Sequence, residues 1–448
     1  MTDRSNSSIV IVGGGASGVI LAAHLLQSSQ SDLRVTLIEK RSTFGRGVAY
    51  STNLPDHLLN VSALGMSAIA DDPEHFARWL NARNPSRSGE APVFAPRGVY
   101  GDYLGDMLAG LEAAEKQRGR LRLIQEEALS VVPTSSGVEV RLGNGTSVVA
   151  HAAVLAVGHD EGPAPDLPGA VRMGAAEDTP VDPDARILIL GTGLSMVDAF
   201  LTLDSRGHRG EIVAVSRRGL LPSPHRPGKP IRLDSADIPL GTDLSYFVGW
   251  FRDLVRATAK AGGNWRDVVD GLRPFNQRIW QSWPVSARRR FLTHTKAWWD
   301  IHRHRMAPEI HERVSNAVRR GRIRLLAARL TGVAPRDGAF EVTLQRRHSR
   351  EVDRLAVARI YDCTGIAKDV SMGSIRVITD LIARGLARPD PLRLGLDVTP
   401  ECAVIAANGA ASDRLFAIGP LTRGTFFEID AVPDIRRQAA DLAARLTA

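Results

Sequence analysis

The stretch "IVIVGGGASGVILAAHLL", Ile9 to Leu26, decides how the rest of the chain is read. Four β-branched residues, Ile9 to Val12, run into three consecutive glycines, and an Ala/Leu helical pattern follows. A secretion signal would not have its apolar core interrupted by GGGASG, and no small-residue cleavage site follows Leu26. A short buried strand, a tight turn and a helix account for the run instead. Gly13 makes the turn, Gly15 lets the backbone approach a pyrophosphate, and Gly18 lets the helix pack closely on the strand. The helix start offers unpaired N–H groups and the positive end of its dipole to phosphates. Gly14, Ala16 and Ser17 complete this dinucleotide-binding loop.

The next strand, "LRVTLIEK", ends in Glu39 and Lys40, and Glu39 lies 21 residues after Gly18. At that distance a carboxylate accepts hydrogen bonds from an adenosine ribose diol. The pattern then recurs in "ARILILGTGLSMVDAFLTL", Ala185 to Leu203, where Gly191 and Gly193 match Gly13 and Gly15. Met196 stands at the third glycine position, and Ser195 precedes it at the helix start. The following strand, "EIVAVSRRG", ends in Ser216, Arg217 and Arg218, with Arg217 again 21 residues on. A carboxylate suits a ribose with both hydroxyls free, whereas a guanidinium grips a 2′-phosphate bidentately. The first site is therefore expected to take FAD and the second NADPH.

The chain has 448 residues, too many for one ordinary core. No apolar run is long enough to span a membrane. Two cysteines, Cys363 and Cys402, rule out a disulfide scaffold and suit the cytoplasm. A net charge of +8 raises the question of nucleic acid, but the arginines are spread along the chain and no nucleic-acid motif accompanies them. The basic surface suits anionic cofactors instead.

The expected fold is α/β, with two Rossmann-like dinucleotide-binding domains, the second inserted in the first. Residues 1–175 form the first part of the FAD domain, 176–365 the NADPH domain and 366–448 the rest of the FAD domain. After Glu39, "NVSALGMSA" forms a flavin-contacting loop in which Asn60 and Val61 face the cofactor, Asn60 either bonding the ring edge or making an Asx turn. "HFARWL" and "YGDYLGDMLAGLEAAEKQRG" have helical apolar spacing, and the turn-rich "NPSRSGEAPVFAPRG" connects them. A hairpin turns at Gly143-Asn144-Gly145 and feeds a buried strand that ends at Gly158. A mainly helical insertion, about 220–320, holds six of the seven tryptophans, which either pack its core or line a pocket. Strands resume with "IRLLAARLTGVAP", "AFEVTLQRR" and "VARIYDCTG". "DRLFAIGP" is a late strand returning to the first domain, which places Gly419 and Pro420 at the FAD site. In the final helix Ile435, Ala439, Leu442 and Leu446 share one face, and Pro433 suits its first turn.

Two glycine motifs, "VLAVGH" before the second, "YDCTG" after it and the late "LFAIGP" resemble the two-dinucleotide-domain flavoproteins. Within that superfamily "GRGVAYS", "HLLNVSALGMSA", "HFARWL", "RGVYGDYL", "GTGLSMVD", "WWDIHRHRMAP" and "GPLTRGTFFEIDAVPDIRRQA" resemble the FAD-dependent urate hydroxylase (HpyO-like) family. Two departures stand out. Pro420 follows Gly419 where the superfamily often has an acid on the ribityl chain, and the GxxxHS signature of flavin-containing monooxygenases is missing. "VLAVGH" is similar to the LATGY element of N-hydroxylating monooxygenases, with His159 at the Tyr position.

The resemblance implies an oxidoreductase, foremost a monooxygenase that oxidises a small molecule with O₂ through a flavin C4a-hydroperoxide. A reductase serving a quinone or protein acceptor and a non-catalytic dinucleotide sensor are the alternatives. A helix start between Arg423 and Asp430 would set N–H groups and Arg423 near the flavin carbonyl edge. His302, with Arg303 and Arg305, either lines the substrate side or binds phosphates, or belongs to a solvated basic helix face; Asn60 and Arg423 are the other candidate catalytic residues. Disulfide reduction is excluded because the two cysteines form no close pair. No metal site is assigned, since Pro308 separates His302 and His304 from His311.

Overall fold

The computed structural model describes residues 8–28, 32–83, 94–160, 162, 165–175, 177–365 and 369–448. Most of the turn-rich connection expected at 84–98 therefore lies outside the described residues. The chain divides into two compact units, one of residues 1–162, 276–281 and 366–448, the other of 163–275 and 282–365.

The first unit is built on a six-stranded sheet in the order Ala403–Ile405, Ala411–Ala417, Ala152–Leu155, Ser8–Val12, Arg34–Glu39 and Leu121–Gln125. All neighbours run parallel except the first pair. Strand Ser8–Val12 is central and buried on both faces, as its β-branched run requires. Its register pairs Val12 with both Ile38 and Leu155, and Ala417 pairs with Leu155. Four strands thus end side by side, which brings Gly13, Lys40, Gly158 and Gly419 to one edge. Helix Ala16–Leu26 packs against the C-terminal helix Val432–Leu446 and against helix Arg97–Glu115. Ile435, Ala439 and Leu442 are buried along the C-terminal helix, and Leu446 packs at the margin of that core. A three-stranded antiparallel sheet of Ala128–Pro133, Val138–Leu142 and Ser147–Ala150 packs beside the main one. Its hairpin turns at the expected Gly143–Gly145.

The second unit has a seven-stranded sheet in the order Val352–Val357, Ala339–Arg346, Ile323–Arg336, Ile212–Ser216, Ile187–Leu190, Arg359–Asp362 and Ala170–Val171. The glycine-turn strand Ile187–Leu190 is parallel to Ile212–Ser216 and to Arg359–Asp362. The expected helical insertion is present, from Leu244–Lys260 to Pro308–Arg319. Its tryptophans divide in role: Trp280 and Trp283 are buried, whereas Trp298 is exposed.

Two expectations are corrected. "VARIYDCTG" is not one strand but parts of two, broken at Ala358. Val352–Val357 pairs antiparallel in the outer hairpin, while Arg359–Asp362 pairs parallel with the glycine-turn strand, so the chain must change partners between them. No α-helix begins between Arg423 and Asp430. A single 3₁₀ turn spans Gly419–Thr422, Glu428 has a φ of 62°, and the α-helix starts at Val432 with Pro433 in its first turn. A left-handed residue there stops helical backbone from continuing.

Candidate functional site

At the edge where the first unit's strands end, a cleft is lined by Gly13, Gly15, Ala16, Ser17, Glu39 and Lys40. Ligands of open α/β sheets bind outside the carboxyl ends of the strands, where this cleft lies. Gly13 has a φ of 108°, and a Cβ there would stand 2.5 Å from the Ala156 carbonyl oxygen. A Cβ on Gly18 would stand 1.9 Å from the Gly13 carbonyl oxygen. Both glycines are thus required by the protein's own packing. Gly15 is different, since the nearest atom to an added Cβ is 3.4 Å away. It is also the N-cap of helix Ala16–Leu26, which has no side-chain cap. Its first-turn N–H groups and the space above them suit a phosphate.

Glu39 is 8% exposed, and its carboxylate accepts from Gly14 N–H at 2.8 Å and from Arg41 N–H at 2.9 Å. The strand-end acid therefore ties the glycine turn to the next loop, and each oxygen keeps a further lone pair for a ribose hydroxyl. Gly14 and Gly18 do not line the cleft; they shape it. Gly158, with a φ of 73°, and Pro420 line it from the other side. Gly419, with a φ of 68°, lies so close to Ser17 that a Cβ would stand 2.5 Å from its hydroxyl oxygen. Gly419 N–H donates to Gln438 Oε1 at 2.7 Å, and Gln438 Nε2 donates to Thr422, so the last helix fixes the turn after the late strand. Asn60 and Val61 precede the 3₁₀ turn Ala63–Gly65 and are not among the residues lining the cleft.

Several lining residues carry no spacing signal of their own. His159 and Asp430 meet at 3.4 Å beside the cleft. Asp160 accepts from Gly162 N–H, from Ser374 N–H and hydroxyl, and from Ile375 N–H, pinning 374–375 to the rim. Arg46, from the "GRGVAYS" stretch, lines the cleft and pairs with Asp102. Arg423 donates from Nε to the Leu394 carbonyl at 2.6 Å and lines a small cavity with Gly158, His159 and Pro420. Burial holds its guanidinium below the usual arginine range, against the pull of Asp430.

In the second unit the same edge is built again. Gly191 has a φ of 112°, donates to the Val215 carbonyl at 2.7 Å, and would bring a Cβ within 2.3 Å of the Cys363 carbonyl oxygen. Gly193 caps helix Leu194–Ser205 without a side-chain bond, and nothing lies within 4 Å of its missing Cβ. Ser195, in the first turn of that helix, accepts from the Cys363 thiol through its carbonyl oxygen. The Ser216 hydroxyl is engaged within the loop, meeting Thr192 Oγ1 and accepting from Gly219 N–H, each at 2.9 Å. Arg218 donates to the His294 carbonyl at 2.7 Å and lies over the Trp298 ring. Arg217 is exposed at the strand end, the guanidinium of this loop left to meet solvent.

His302 is held by the helix itself, Nδ1 lying 2.7 Å from the Trp298 carbonyl, and its ring meets Trp265 edge-on. Among the described residues no group of three His, Cys, Asp or Glu side chains is placed to hold a metal ion, and no helix is long and apolar enough to cross a membrane. Cys363 and Cys402 belong to different units, and burial pushes each thiol up to about 12.

A family model described as FAD-NAD(P)-binding matches residues 10–160. No curated protein sequence matches the chain. Solved structures similar to it include the ornithine N-hydroxylase KtzI from Kutzneria sp. 744, with reduced FAD, NADP⁺ and L-ornithine, at 16% identity and a TM-score of 0.65, covering 98% of this chain and 99% of that one. DfoA from Erwinia amylovora, a cadaverine monooxygenase bound to FAD, aligns at 14% identity and a TM-score of 0.65 over 99% and 95%. The ornithine hydroxylase PvdA from Pseudomonas aeruginosa aligns at 14% identity and a TM-score of 0.63 over 99% of each chain. The chain has the α/β two-domain flavoprotein fold that these enzymes share.

Proposed function

We propose that the chain is an FAD-dependent, NADPH-consuming oxidoreductase of the cytoplasm, a monooxygenase that hydroxylates a small molecule with O₂. The observation that carries the proposal is the contrast between two equivalent strand ends, a buried carboxylate at Glu39 and an exposed guanidinium at Arg217. The open helix starts at Gly15 and Gly193 fit the phosphates of the two dinucleotides. Glu39 accepts from the ribose hydroxyls of FAD, with Ala16, Ser17, Lys40, Gly158 and Pro420 around it. Arg217 meets the 2′-phosphate of NADPH, Ser216 and Arg218 shaping its loop. When bound, the flavin supplies the electron exchange between nicotinamide and oxygen. Arg423, half-buried and positive beside the cleft, favours negative charge on a bound ring.

Of the stretches on which the likeness to the FAD-dependent urate hydroxylase (HpyO-like) family rests, 45–51 and 419–439 contribute residues to the first cleft and 191–198 forms the second glycine turn, which supports that family reading. The similar structures include an ornithine N-hydroxylase and a cadaverine monooxygenase, both named for small amines, which supports a nitrogen-containing substrate here. The test is to mix the purified yellow protein with NADPH, admit O₂, and screen primary amines and nitrogen heterocycles by mass spectrometry. NADPH-dependent bleaching with a product that has gained one oxygen atom is the expected result. Bleaching with electrons delivered only to a quinone would make it a reductase, and no bleaching would make it a sensor.

A further inference from the structure

Within the first unit a histidine and a carboxylate stand where the cleft meets the smaller cavity. His159 closes the segment after strand Ala152–Leu155, and its Nε2 lies 3.4 Å from Asp430 Oδ1. Its Nδ1 is buried and has no hydrogen-bond partner. The ring lines both the cleft floored by Gly13 and Gly15 and the cavity that holds Arg423. The imidazole thus has one nitrogen near a carboxylate and the other buried and unmet, an exception among buried polar groups at the border of the cleft.

The charges around it set its protonation. Asp430 and Arg423 act on the imidazole directly, and Asp430 reaches it from just before the C-terminal helix. The cleft wall adds Glu39, Glu126, Glu127 and Asp160 against Lys40, Arg41 and Arg46. With Asp430, carboxylates outnumber cations in the lining by five to three. A diphosphate entering such a cleft adds negative charge that the fixed cations do not balance. Before it enters, burial and Arg423 hold the imidazole below its ordinary value, so it is neutral near pH 7. We propose that His159 takes up a proton from solvent when the diphosphate of the dinucleotide enters the cleft, with Asp430 holding the imidazolium, so that cofactor retention depends on pH.

The inference rests on the FAD reading of this cleft. The sign follows from linkage: a group whose pKa rises on binding makes the complex tightest at low pH and weakens it as pH rises through the bound-state value. FAD titrations of the full-length apoprotein, followed by flavin fluorescence between pH 6 and 8, test it. The wild-type dissociation constant is expected to rise about tenfold for each unit by which binding lifts the pKa. His159→Gln is expected to bind FAD with no pH dependence over that range, and Asp430→Asn to narrow the wild-type span. Calorimetry in two buffers of different protonation heat counts the proton directly, and it decides the matter on wild-type protein if the variants fail to fold. Uptake near zero, or a slope in His159→Gln equal to wild type, overturns the proposal while leaving FAD binding intact. Failure to bind FAD at any pH removes the reading of the cleft as well.

Discussion

The glycines of the first turn look alike in the sequence and differ in what they do. A Cβ added at Gly13 or Gly18 would stand 2.5 or 1.9 Å from a carbonyl oxygen, whereas one at Gly15 would meet nothing nearer than 3.4 Å. Gly13→Ala is expected to destabilise the apoprotein by about 1–3 kcal/mol, because a side chain must adopt a left-handed backbone and displace Ala156. Gly15→Ala is expected to leave apoprotein stability within about 1 kcal/mol, since its φ is ordinary, yet to weaken FAD binding at least tenfold. Thermal melts without cofactor and FAD titrations separate the two effects, and equal behaviour of both variants would contradict the assignment. The spacing from Gly18 to Glu39 locates the strand-end acid, but it is silent on the bonds that Glu39 accepts from Gly14 and Arg41. Those depend on how the turn curls back, which local pattern does not encode. The pairing of His159 with Asp430 is invisible in the sequence for a related reason, because 271 positions of sequence (430 − 159) separate the two.

At the scale of elements, the strands with apolar runs and the helices with clear periodicity were legible. Strands Leu121–Gln125 and Ala128–Pro133 carry little signal in the sequence, as their mixed burial explains: neither presents an unbroken apolar run or clean alternation. The segment after Gly419 misled because two prolines, Pro420 and Pro433, each suit a first helical turn, and only the left-handed Glu428 shows which starts the α-helix. Trp280 is the most telling of the insertion's tryptophans. It is 1% exposed, donates from Nε1 to the Gly424 carbonyl at 2.8 Å and stacks on Phe427 at 4.8 Å, so the short helix Asn276–Ser282 fixes the turn below the late strand. Trp280→Ala is expected to cost about 3–5 kcal/mol in denaturant unfolding. Trp280→Phe, which keeps a ring but loses the hydrogen bond, is expected to cost about 1–3 kcal/mol. If both variants unfold like wild type, the helix does not brace this turn.

For the molecule as a whole, buried histidines set the acid limb of stability. Burial holds His24, His159 and His208 below the ordinary imidazole value. The unfolded chain therefore binds protons near pH 6.5 while the folded one does not, so apoprotein stability is lost as pH falls through that value. Carboxylates held low by arginine, such as Asp204 between Arg313 and Arg322, add a loss only below about pH 4. Melting temperatures of the apoprotein between pH 7.5 and 5 are expected to fall, and a flat profile would contradict the buried neutral histidines. The sorting of two dinucleotides by Glu39 and Arg217 is decided most directly by steady-state kinetics of Arg217→Ala beside wild type, with NADPH and NADH, after confirming that FAD is the flavin released on denaturation. The expected result is a loss of roughly ten- to hundredfold in kcat/KM for NADPH, the worth of a charge-assisted hydrogen bond, with NADH almost unaffected. An equal change for both nucleotides, or none for either, would contradict it.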